Sequence, residues 1–311
     1  MELRSLGKNG PEISVVGYGA WEAGGDMWGP NESDDRVIEA MRAALAAGMT
    51  WMDTAEAYGR GRSEQLVARA IEGRRGEVLI FTKVAPSVSG FRPHQIKKAI
   101  RASLQRLQTD HVDLYQLHWP DRNVPVEDSW GTMAEVQEEG LARHIGLSNH
   151  DRSLIERCMA IRHVDSVQNQ FSLLHPEDRT DLLPWLQDRG IGYLAYAPLA
   201  YGMLTGAITA ETRFSDQDWR SGKQFQSGNY RRLFAPGARE RNLRLVERMG
   251  PIAERLATSV AALAIRWAIE QRGVTAAIAG SRDPDHVRHN AEAGILELDR
   301  KTVRELDTIF S

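Results

Sequence analysis

Short apolar runs alternate with amphipathic segments along most of the chain. The runs lack the polar alternation of half-exposed strands, which is typical of strands buried on both faces of a parallel sheet. The segments between them repeat apolar residues at helical spacing, as Ile96, Ile100 and Leu104 do. This pattern predicts strands over residues 15–19, 50–53, 78–84, 113–118, 144–148, 166–169, 191–197 and 275–279.

A helix is predicted after every one of these strands. The predicted helices cover residues 33–48, 63–72, 93–107, 126–139, 152–160, 179–188, 239–256, 259–271 and 284–293, with Ser63 as the N-cap of the second. A β-hairpin over residues 3–16, turning at Lys8-Asn9-Gly10, precedes the series, and a helix over residues 299–310 follows it. Residues 199–236 form the longest stretch without a regular pattern.

Eight strand–helix units in 311 residues favour an α/β fold of the (β/α)8 TIM-barrel type. An open doubly wound sheet is less favoured, because no G-x-G-x-x-G motif follows the first strand. We therefore expect a single barrel domain over residues 1–311, with the N-terminal hairpin and an extra C-terminal helix.

Composition and charge narrow the possible partners. The net charge is −3 and the basic residues are dispersed, so binding to nucleic acid or to an anionic membrane is not expected. Cys158 is the only cysteine, which excludes an internal disulfide framework; we expect an inert packing thiol. Neither a secretory signal nor a long apolar run is visible, so we expect a cytoplasmic protein. Its oligomeric state is left open.

Polar residues stand where the predicted barrel strands end, and this end carries the active site in such barrels. Asp53 ends the second strand, and Tyr58 lies in the loop after it. The other strand-end candidates are Lys83, His118, Ser148, Asn149, Gln168 and Tyr196.

Lys83 lies within an apolar strand and needs a partner, because an isolated buried charge is costly. Asp53 is the expected partner. The lysine cation is expected to lower the pKa of Tyr58, which would then exchange a proton with a substrate oxygen. His118 is expected to orient a carbonyl group. A structural ion pair and a histidine satisfied in the core are the alternatives. The histidine spacing predicts no metal site.

Two further groups of residues suggest ligand binding. Ser148, Asn149 and Gln168 offer neutral donors and acceptors for an amide, and Tyr196 offers a face for stacking. The segment Gly280–Pro284 joins a strand to a helix start and contains Arg282, which together predict a phosphate site. Strand-end capping, core packing and an exposed capping loop are the respective alternatives.

Several motifs in a fixed order resemble those of the aldo-keto reductase superfamily. They are G-Y-G-A-W at 17–21, D-T-A-E-A-Y-G-R-G-R-S-E at 53–64, T-K-V at 82–84, L-H-W-P at 117–120, G-L-S-N at 146–149 and A-Y-A-P-L at 195–199. The absence of a long N-terminal extension and the long loop after Tyr196 are similar to the bacterial branch close to potassium-channel β-subunits.

The resemblance implies an NADPH-dependent enzyme with a catalytic tetrad of Asp53, Tyr58, Lys83 and His118. The cofactor-binding positions it implies are Gly19, Ala20, Trp21, Asp53, Ser148, Asn149, Gln168, Tyr196, Ala197, Leu199, Gly202, Leu204, Gly280, Ser281, Arg282, His286 and Asn290. Many members carry Arg or Gln at the position of His286. The contact with the 2′-phosphate therefore depends more on Arg282, and NADH stays open as an alternative.

These observations favour an EC 1.1.1-type oxidoreductase that reduces aldehydes and ketones with Tyr58 as general acid. Two alternatives are a sugar or alcohol dehydrogenase working in the oxidative direction, and a slow-turnover NADPH-binding regulatory subunit. The substrate pocket is predicted to contain Trp21, Trp28, Tyr58, His118 and Trp119, with Trp51, Glu22, Asp26 and Glu56 as further candidates. The stretch 214–234, with Trp219, Arg220 and Phe225, is a candidate lid. The substrate itself is not readable.

Overall fold

A computed structural model describes residues 1–30, 32–224 and 226–311. The chain begins with an antiparallel hairpin of β1 (Leu3–Ser5) and β2 (Glu12–Ser14). The predicted hairpin is confirmed, but its left-handed turn residue is Gly7, with φ 67°, and not Asn9 or Gly10. Leu6 and Ile13 are fully buried in one cluster with Trp51 and Phe81 from the barrel strands. The hairpin therefore contributes to the packed core of the barrel.

Eight parallel strands within the described residues close into a barrel. They are β3 (Val16–Gly19), β4 (Trp51–Asp53), β5 (Leu79–Val84), β6 (Val112–Leu117), β7 (Ala142–Ser148), β8 (Ser166–Gln170), β9 (Gly192–Tyr196) and β10 (Ala276–Ala279). Neighbours in the barrel are neighbours in sequence, and β10 closes on β3 with Ala277 opposite Val16. The (β/α)8 prediction is confirmed, and all eight predicted strands are present.

Helices surround the barrel and connect its strands. They are α1 (Asp34–Ala46), α2 (Arg62–Ala70), α3 (Pro93–Leu107), α4 (Val126–Glu138), α5 (Arg152–Met159), α6 (Leu182–Gln187), α7 (Gly228–Leu233), α8 (Ala238–Glu247), α9 (Gly250–Arg255), α10 (Val260–Glu270), α11 (Pro284–Glu292) and α12 (Arg300–Phe310). None of these described helices combines the length and the apolar character that crossing a membrane requires.

Two helix predictions need correction. The single helix expected over 239–256 is divided into α8 and α9, and α9 starts at Gly250-Pro251. Proline lacks the backbone N–H that a continuous helix uses, so the break falls there. Ser63 is not an N-cap: α2 begins one residue earlier, because Gly61 takes φ 93° and ends the preceding turn. The Ser63 hydroxyl is buried and donates to the Ala20 carbonyl over 2.7 Å.

The C-terminal helix α12 packs on the outside of the barrel as predicted. Asp299 caps its N-terminus, and Leu306 and Ile309 are buried. Asp307 accepts hydrogen bonds from both terminal nitrogens of Arg179, over 2.8 and 2.7 Å, and from the Trp267 indole over 2.9 Å. Polar contacts thus hold the helix in addition to its apolar face.

Candidate active site

Lys83 lies at the centre of the polar residues at the carboxyl ends of the strands. Its side chain is fully buried, and Nζ is 2.5 Å from Asp53 Oδ1 and 2.8 Å from the Thr54 carbonyl oxygen. The Tyr58 hydroxyl lies 3.4 Å from the same nitrogen. The His118 and Tyr58 rings meet edge to face with centroids 5.5 Å apart. The structure therefore brings the four predicted catalytic residues into contact at one end of the barrel.

A glycine contact between two loops places Tyr58 at this end. Tyr58 opens a short 3-10 turn in which Gly59 and Arg60 take left-handed conformations, with φ 59° and 54°. A Cβ atom on Gly59 would lie 2.2 Å from the Gly24 carbonyl oxygen, a distance that no side chain tolerates. The loop after β4 therefore presses backbone to backbone on the loop after β3, and this contact fixes the residue next to Tyr58.

The pKa of Tyr58 moves opposite to the prediction from sequence. Burial, followed by the negative charge of Asp53, raises the pKa of the Tyr58 hydroxyl well above 10. The prediction was wrong because it considered the Lys83 charge and left out the burial of the Tyr58 hydroxyl, which is the largest effect, and the nearby charge of Asp53. Burial also lowers the pKa of Lys83, against the opposing effect of Asp53. Tyr58 is consequently protonated at neutral pH.

His118 is electrically neutral in this environment. Burial, with a smaller effect of the Lys83 charge, lowers the pKa of its imidazole well below 6.5. Its Nδ1 atom is buried and has no hydrogen-bond partner among the described residues. The ring stacks on Trp119 with a centroid distance of 3.6 Å. A neutral imidazole in this position is suited to a hydrogen bond with an uncharged substrate.

The predicted amide-binding residues lie side by side at the ends of β7, β8 and β9. Asn149 donates to the His118 carbonyl over 2.9 Å and accepts from the Tyr196 hydroxyl over 2.8 Å. Its backbone takes φ 62°, a costly conformation of the kind that collects at functional sites. Gln168 donates to Asp53 Oδ2 over 2.8 Å. Asn149 therefore contacts the Tyr196 hydroxyl, and Gln168 contacts the Asp53–Lys83 ion pair.

Left-handed backbone is concentrated in the loop after β9. Ala197, Ala200 and Tyr201 have φ values of 51°, 46° and 57°, and Gly202 has 96°. Leu199 has φ −89°, whereas the next three residues are left-handed in succession, a conformation that is costly for residues other than glycine. Nothing in the sequence indicated this strain at alanine and tyrosine. Leu199 and Leu204, two of the predicted cofactor-binding positions, lie in the same turn, where both the Gly202 and Leu204 N–H groups bind the Leu199 carbonyl.

The loop between β10 and α11 contains the predicted phosphate-binding residues. Asp283 caps α11, and the Ser281 hydroxyl lies 3.4 Å from His286 Nδ1 on its first turn. Asn290 is buried further along the helix. The Arg282 guanidinium donates to the carbonyl oxygens of Pro30 and Trp28, each over 2.9 Å. The sequence did not indicate these two contacts, because their acceptors are backbone groups.

Aromatic side chains surround the entrance next to Tyr58. The Trp21 ring lies 4.9 Å from Trp28, 5.9 Å from Tyr201 and 6.3 Å from Tyr58, measured between centroids. Trp119 is 41% exposed at the rim. Tyr201 therefore completes the aromatic wall formed with Trp21 and Trp28.

Trp51 and Glu56 are candidates for the substrate pocket that the structure places elsewhere. Trp51 is fully buried against Phe81 in the core of the barrel. Glu56 accepts hydrogen bonds from the Ala85 N–H and the Ser89 hydroxyl, over 2.8 and 2.7 Å, so it holds the loop after β5 and does not serve the pocket. Asp26 is exposed, Glu22 is half-buried, and Phe225 lies outside the described residues.

The candidate lid packs on the loop after β3. The backbone N–H of Trp219 donates to the Met27 carbonyl over 2.9 Å, and the Trp219 ring meets the Trp28 ring with centroids 6.2 Å apart. Arg220 lies 4.9 Å from the Trp28 ring centroid and forms an ion pair with Asp218 over 2.6 Å. This segment therefore closes one side of the aromatic wall.

Comparisons with known proteins agree with this geometry. The chain is 35% identical to aldo-keto reductase YhdN of Bacillus subtilis (strain 168), over the whole chain and 94% of the relative. It is 29% identical to a probable voltage-gated potassium channel subunit beta of Oryza sativa subsp. japonica, over 94% of the chain and 91% of the relative. This second relative confirms the predicted closeness to β-subunit-like members.

Two solved structures match over almost the whole length. A glycerol dehydrogenase of Gluconobacter oxydans superposes with a TM-score of 0.86 at 28% identity, over 99% of this chain and 94% of that one. An aldo-keto reductase of Klebsiella pneumoniae, solved with NADPH, gives 0.78 at 27% identity, over 100% and 96%. The model of the aldo/keto reductase family matches residues 15–310. The chain belongs to the aldo/keto reductase family.

Proposed function

We propose that this protein reduces aldehyde and ketone carbonyls with NADPH. The observation that carries the proposal is the Tyr58 hydroxyl, which lies 3.4 Å from Lys83 Nζ and beside the neutral ring of His118. A protonated tyrosine, a buried cation and a neutral hydrogen-bonding group are together suited to placing a proton on a carbonyl oxygen. The related Klebsiella enzyme, solved with NADPH, supports the choice of cofactor.

The residues at this end of the barrel fit a dinucleotide. Ser148, Asn149 and Gln168 are neutral donors and acceptors, which suits a carboxamide, and Tyr196 offers a ring face. We assign the pyrophosphate to the turn after β9, and Arg282 beside the start of α11 suits a 2′-phosphate. When bound, the nicotinamide supplies the hydride that adds to the carbonyl carbon.

The side chains at this site account for the transfer of the proton. The Tyr58 O–H bond breaks as its proton passes to the carbonyl oxygen, which becomes the hydroxyl of the alcohol. The phenolate that remains lies next to Lys83 Nζ, whose positive charge stabilises it until solvent returns a proton. Asp53 keeps Lys83 charged despite its complete burial. His118 and the Trp21 ring position the substrate.

Replacing Tyr58 by phenylalanine tests this assignment. The variant keeps the aromatic ring but lacks the transferable proton, so we expect kcat for aldehyde reduction to fall by about 10²–10⁴-fold. The measurement is NADPH oxidation with a panel of aldehydes. Because the hydroxyl contacts no predicted cofactor residue, Kd for NADP⁺ should change by less than about twofold.

Tyr201→Phe is the matched control. It removes a hydroxyl from the same aromatic wall, but that hydroxyl accepts from Asn229 over 2.9 Å, away from Lys83. Turnover of Tyr201→Phe should stay near that of the wild type. A Tyr58→Phe enzyme that works at the wild-type rate would refute the role of Tyr58.

A second candidate is alcohol oxidation at the same site. The structural match to a glycerol dehydrogenase favours it. Oxidation requires Tyr58 to accept a proton, and therefore to be ionised beforehand. Because burial and Asp53 raise the pKa of Tyr58 well above 10, the reductive direction is favoured at neutral pH.

A further inference from the structure

Arg282 connects the predicted phosphate site with the aromatic wall of the substrate pocket. Its guanidinium nitrogens Nη1 and Nη2 donate to the carbonyl oxygens of Pro30 and Trp28, each over 2.9 Å. Both acceptors belong to the loop after β3, which we call the tryptophan loop (residues 21–30). Arg282 itself stands between β10 and α11, at the other end of the sequence.

A second contact fixes the residue that follows Arg282. Arg36 in α1 pairs with Asp283 over 2.6 Å. The Arg282 guanidinium itself holds the C-terminal part of the tryptophan loop, at Trp28 and Pro30.

A continuous path of contacts runs from Arg282 to the proton donor. Trp28, whose carbonyl oxygen Arg282 holds, meets the Trp21 ring edge to face at 4.9 Å. Trp21 in turn lies 6.3 Å from the Tyr58 ring. Any change in the hold on Trp28 therefore reaches the wall that positions the substrate.

The Arg282 guanidinium has enough N–H donors for the two loop carbonyls and for a phosphate. It carries five N–H groups in a fixed plane, and the two carbonyl contacts use one on each terminal nitrogen. The remaining groups are sufficient for a bidentate contact with a phosphate. The side chain is half-buried, so a phosphate can reach its free edge while the carbonyl contacts persist.

We propose that Arg282 couples recognition of the 2′-phosphate to the order of the tryptophan loop, and so makes the phosphate a ligand that tightens the substrate pocket. This inference rests on the proposed use of NADPH. A phosphate on the free edge fixes the guanidinium, which then holds the Trp28 and Pro30 carbonyls more firmly. By thermodynamic reciprocity, an ordered tryptophan loop strengthens binding of the 2′-phosphorylated cofactor, and carbonyl substrates bind more tightly beside NADPH than beside NADH.

Hydrogen exchange of the tryptophan loop tests the coupling without any turnover. The probes are adenosine 2′,5′-bisphosphate and 5′-AMP, which differ only in the 2′-phosphate and carry no nicotinamide. The reporter amides are Gly24 and Gly25, which donate to Trp21 and Glu22 within the loop. We expect the bisphosphate to slow their exchange at least about fivefold in the wild type, and 5′-AMP to leave it unchanged.

Two variants complete the experiment. Arg282→Gln should exchange faster than the wild type without ligand and should not respond to the bisphosphate. Arg36→Gln removes a cation from the same neighbourhood but keeps both carbonyl contacts of Arg282, so the response should persist. Calorimetric titration of each variant with the bisphosphate establishes that the probe is bound.

Three outcomes overturn the coupling. In the first, the bisphosphate binds but leaves exchange unchanged or accelerates it. In the second, 5′-AMP slows exchange as much, or Arg282→Gln responds like the wild type. In the third, the wild type does not bind the bisphosphate at all. In that case NADPH use also fails, whereas carbonyl reduction with NADH would keep the reductase function.

Discussion

Lys83 brings a positive charge into a part of the molecule that water does not reach. Such a charge is tolerated only with a close partner, and Asp53 provides it at 2.5 Å. Burial and the negative charge of Asp53 raise the pKa of the Tyr58 hydroxyl, so its neutral, protonated form is favoured beside the ion pair.

Removing one member of this pair should lower the stability of the protein. We expect Lys83→Met to lower the free energy of unfolding by about 3–5 kcal/mol, because Asp53 is then a buried carboxylate without its cation. The double variant Asp53→Asn/Lys83→Met removes both charges and should recover much of this loss. Both should be inactive. Urea denaturation of Lys83→Met, Asp53→Asn and the double variant gives their free energies of unfolding. A loss in the double variant equal to the sum of the two single losses would contradict the argument.

At the level of elements, the loop after β4 depends on two glycines that face each other. Gly59 takes φ 59° and lies against the backbone of Gly24. Gly24 belongs to the tryptophan loop, so the contact joins the proton donor to the aromatic wall. Loop packing, and not the barrel alone, therefore sets the distance between Tyr58 and the substrate.

Substituting alanine at two glycines separates strain from packing. Gly73 also has a left-handed φ, 74°, but a Cβ there meets nothing within 4 Å, so Gly73→Ala should cost only about 1–2 kcal/mol of backbone strain. Gly59→Ala adds a clash 2.2 Å from the Gly24 carbonyl oxygen. It should cost more stability and reduce kcat for carbonyl reduction, while Gly73→Ala keeps full activity. Equal effects of the two substitutions on activity would show that the glycine contact does not position Tyr58.

At the scale of the whole molecule, α12 holds together elements that are distant in sequence. Asp307 binds Arg179, which precedes α6, and Trp267 in α10. These contacts lie on the outside of the barrel and are separate from the residues around Lys83. Asp307 therefore contributes to stability at a place separate from the candidate active site.

Asp307→Ala should separate these two properties. It leaves the Arg179 guanidinium and the Trp267 indole without their acceptor, so we expect a loss of about 1–3 kcal/mol in the free energy of unfolding. Glu305→Ala is the control on the same helix: Glu305 pairs with Arg255 in solvent, so its loss should change the stability much less than the loss of Asp307. Thermal denaturation and kcat/KM measure the two properties. A fall in kcat/KM with Asp307→Ala would contradict the separation.

The pattern of apolar runs was sufficient to predict the barrel, because buried parallel strands leave a clear signal in the sequence. The pairing of Lys83 with Asp53 was also predictable, since a lysine between Thr82 and Val84 has no other means of being buried. The target of Arg282 was not predictable, because backbone carbonyls carry no residue signature. The prediction of Ser63 as an N-cap was wrong for a related reason. The start of α2 depends on the left-handed conformation of Gly61, and the sequence, which has glycines at both 59 and 61, does not show where the turn ends.

The closure of β10 on β3 also bears on how the protein is made. Ala277 pairs with Val16, so β3 cannot pair with β10 until nearly all of the chain has been synthesised. Contacts of such long sequence separation form late and slowly. Asp53, Tyr58, Lys83 and His118 are all synthesised within the first half of the chain, yet Arg282 follows only after β10. A nascent chain therefore carries the acid–base residues long before it can hold a cofactor against them.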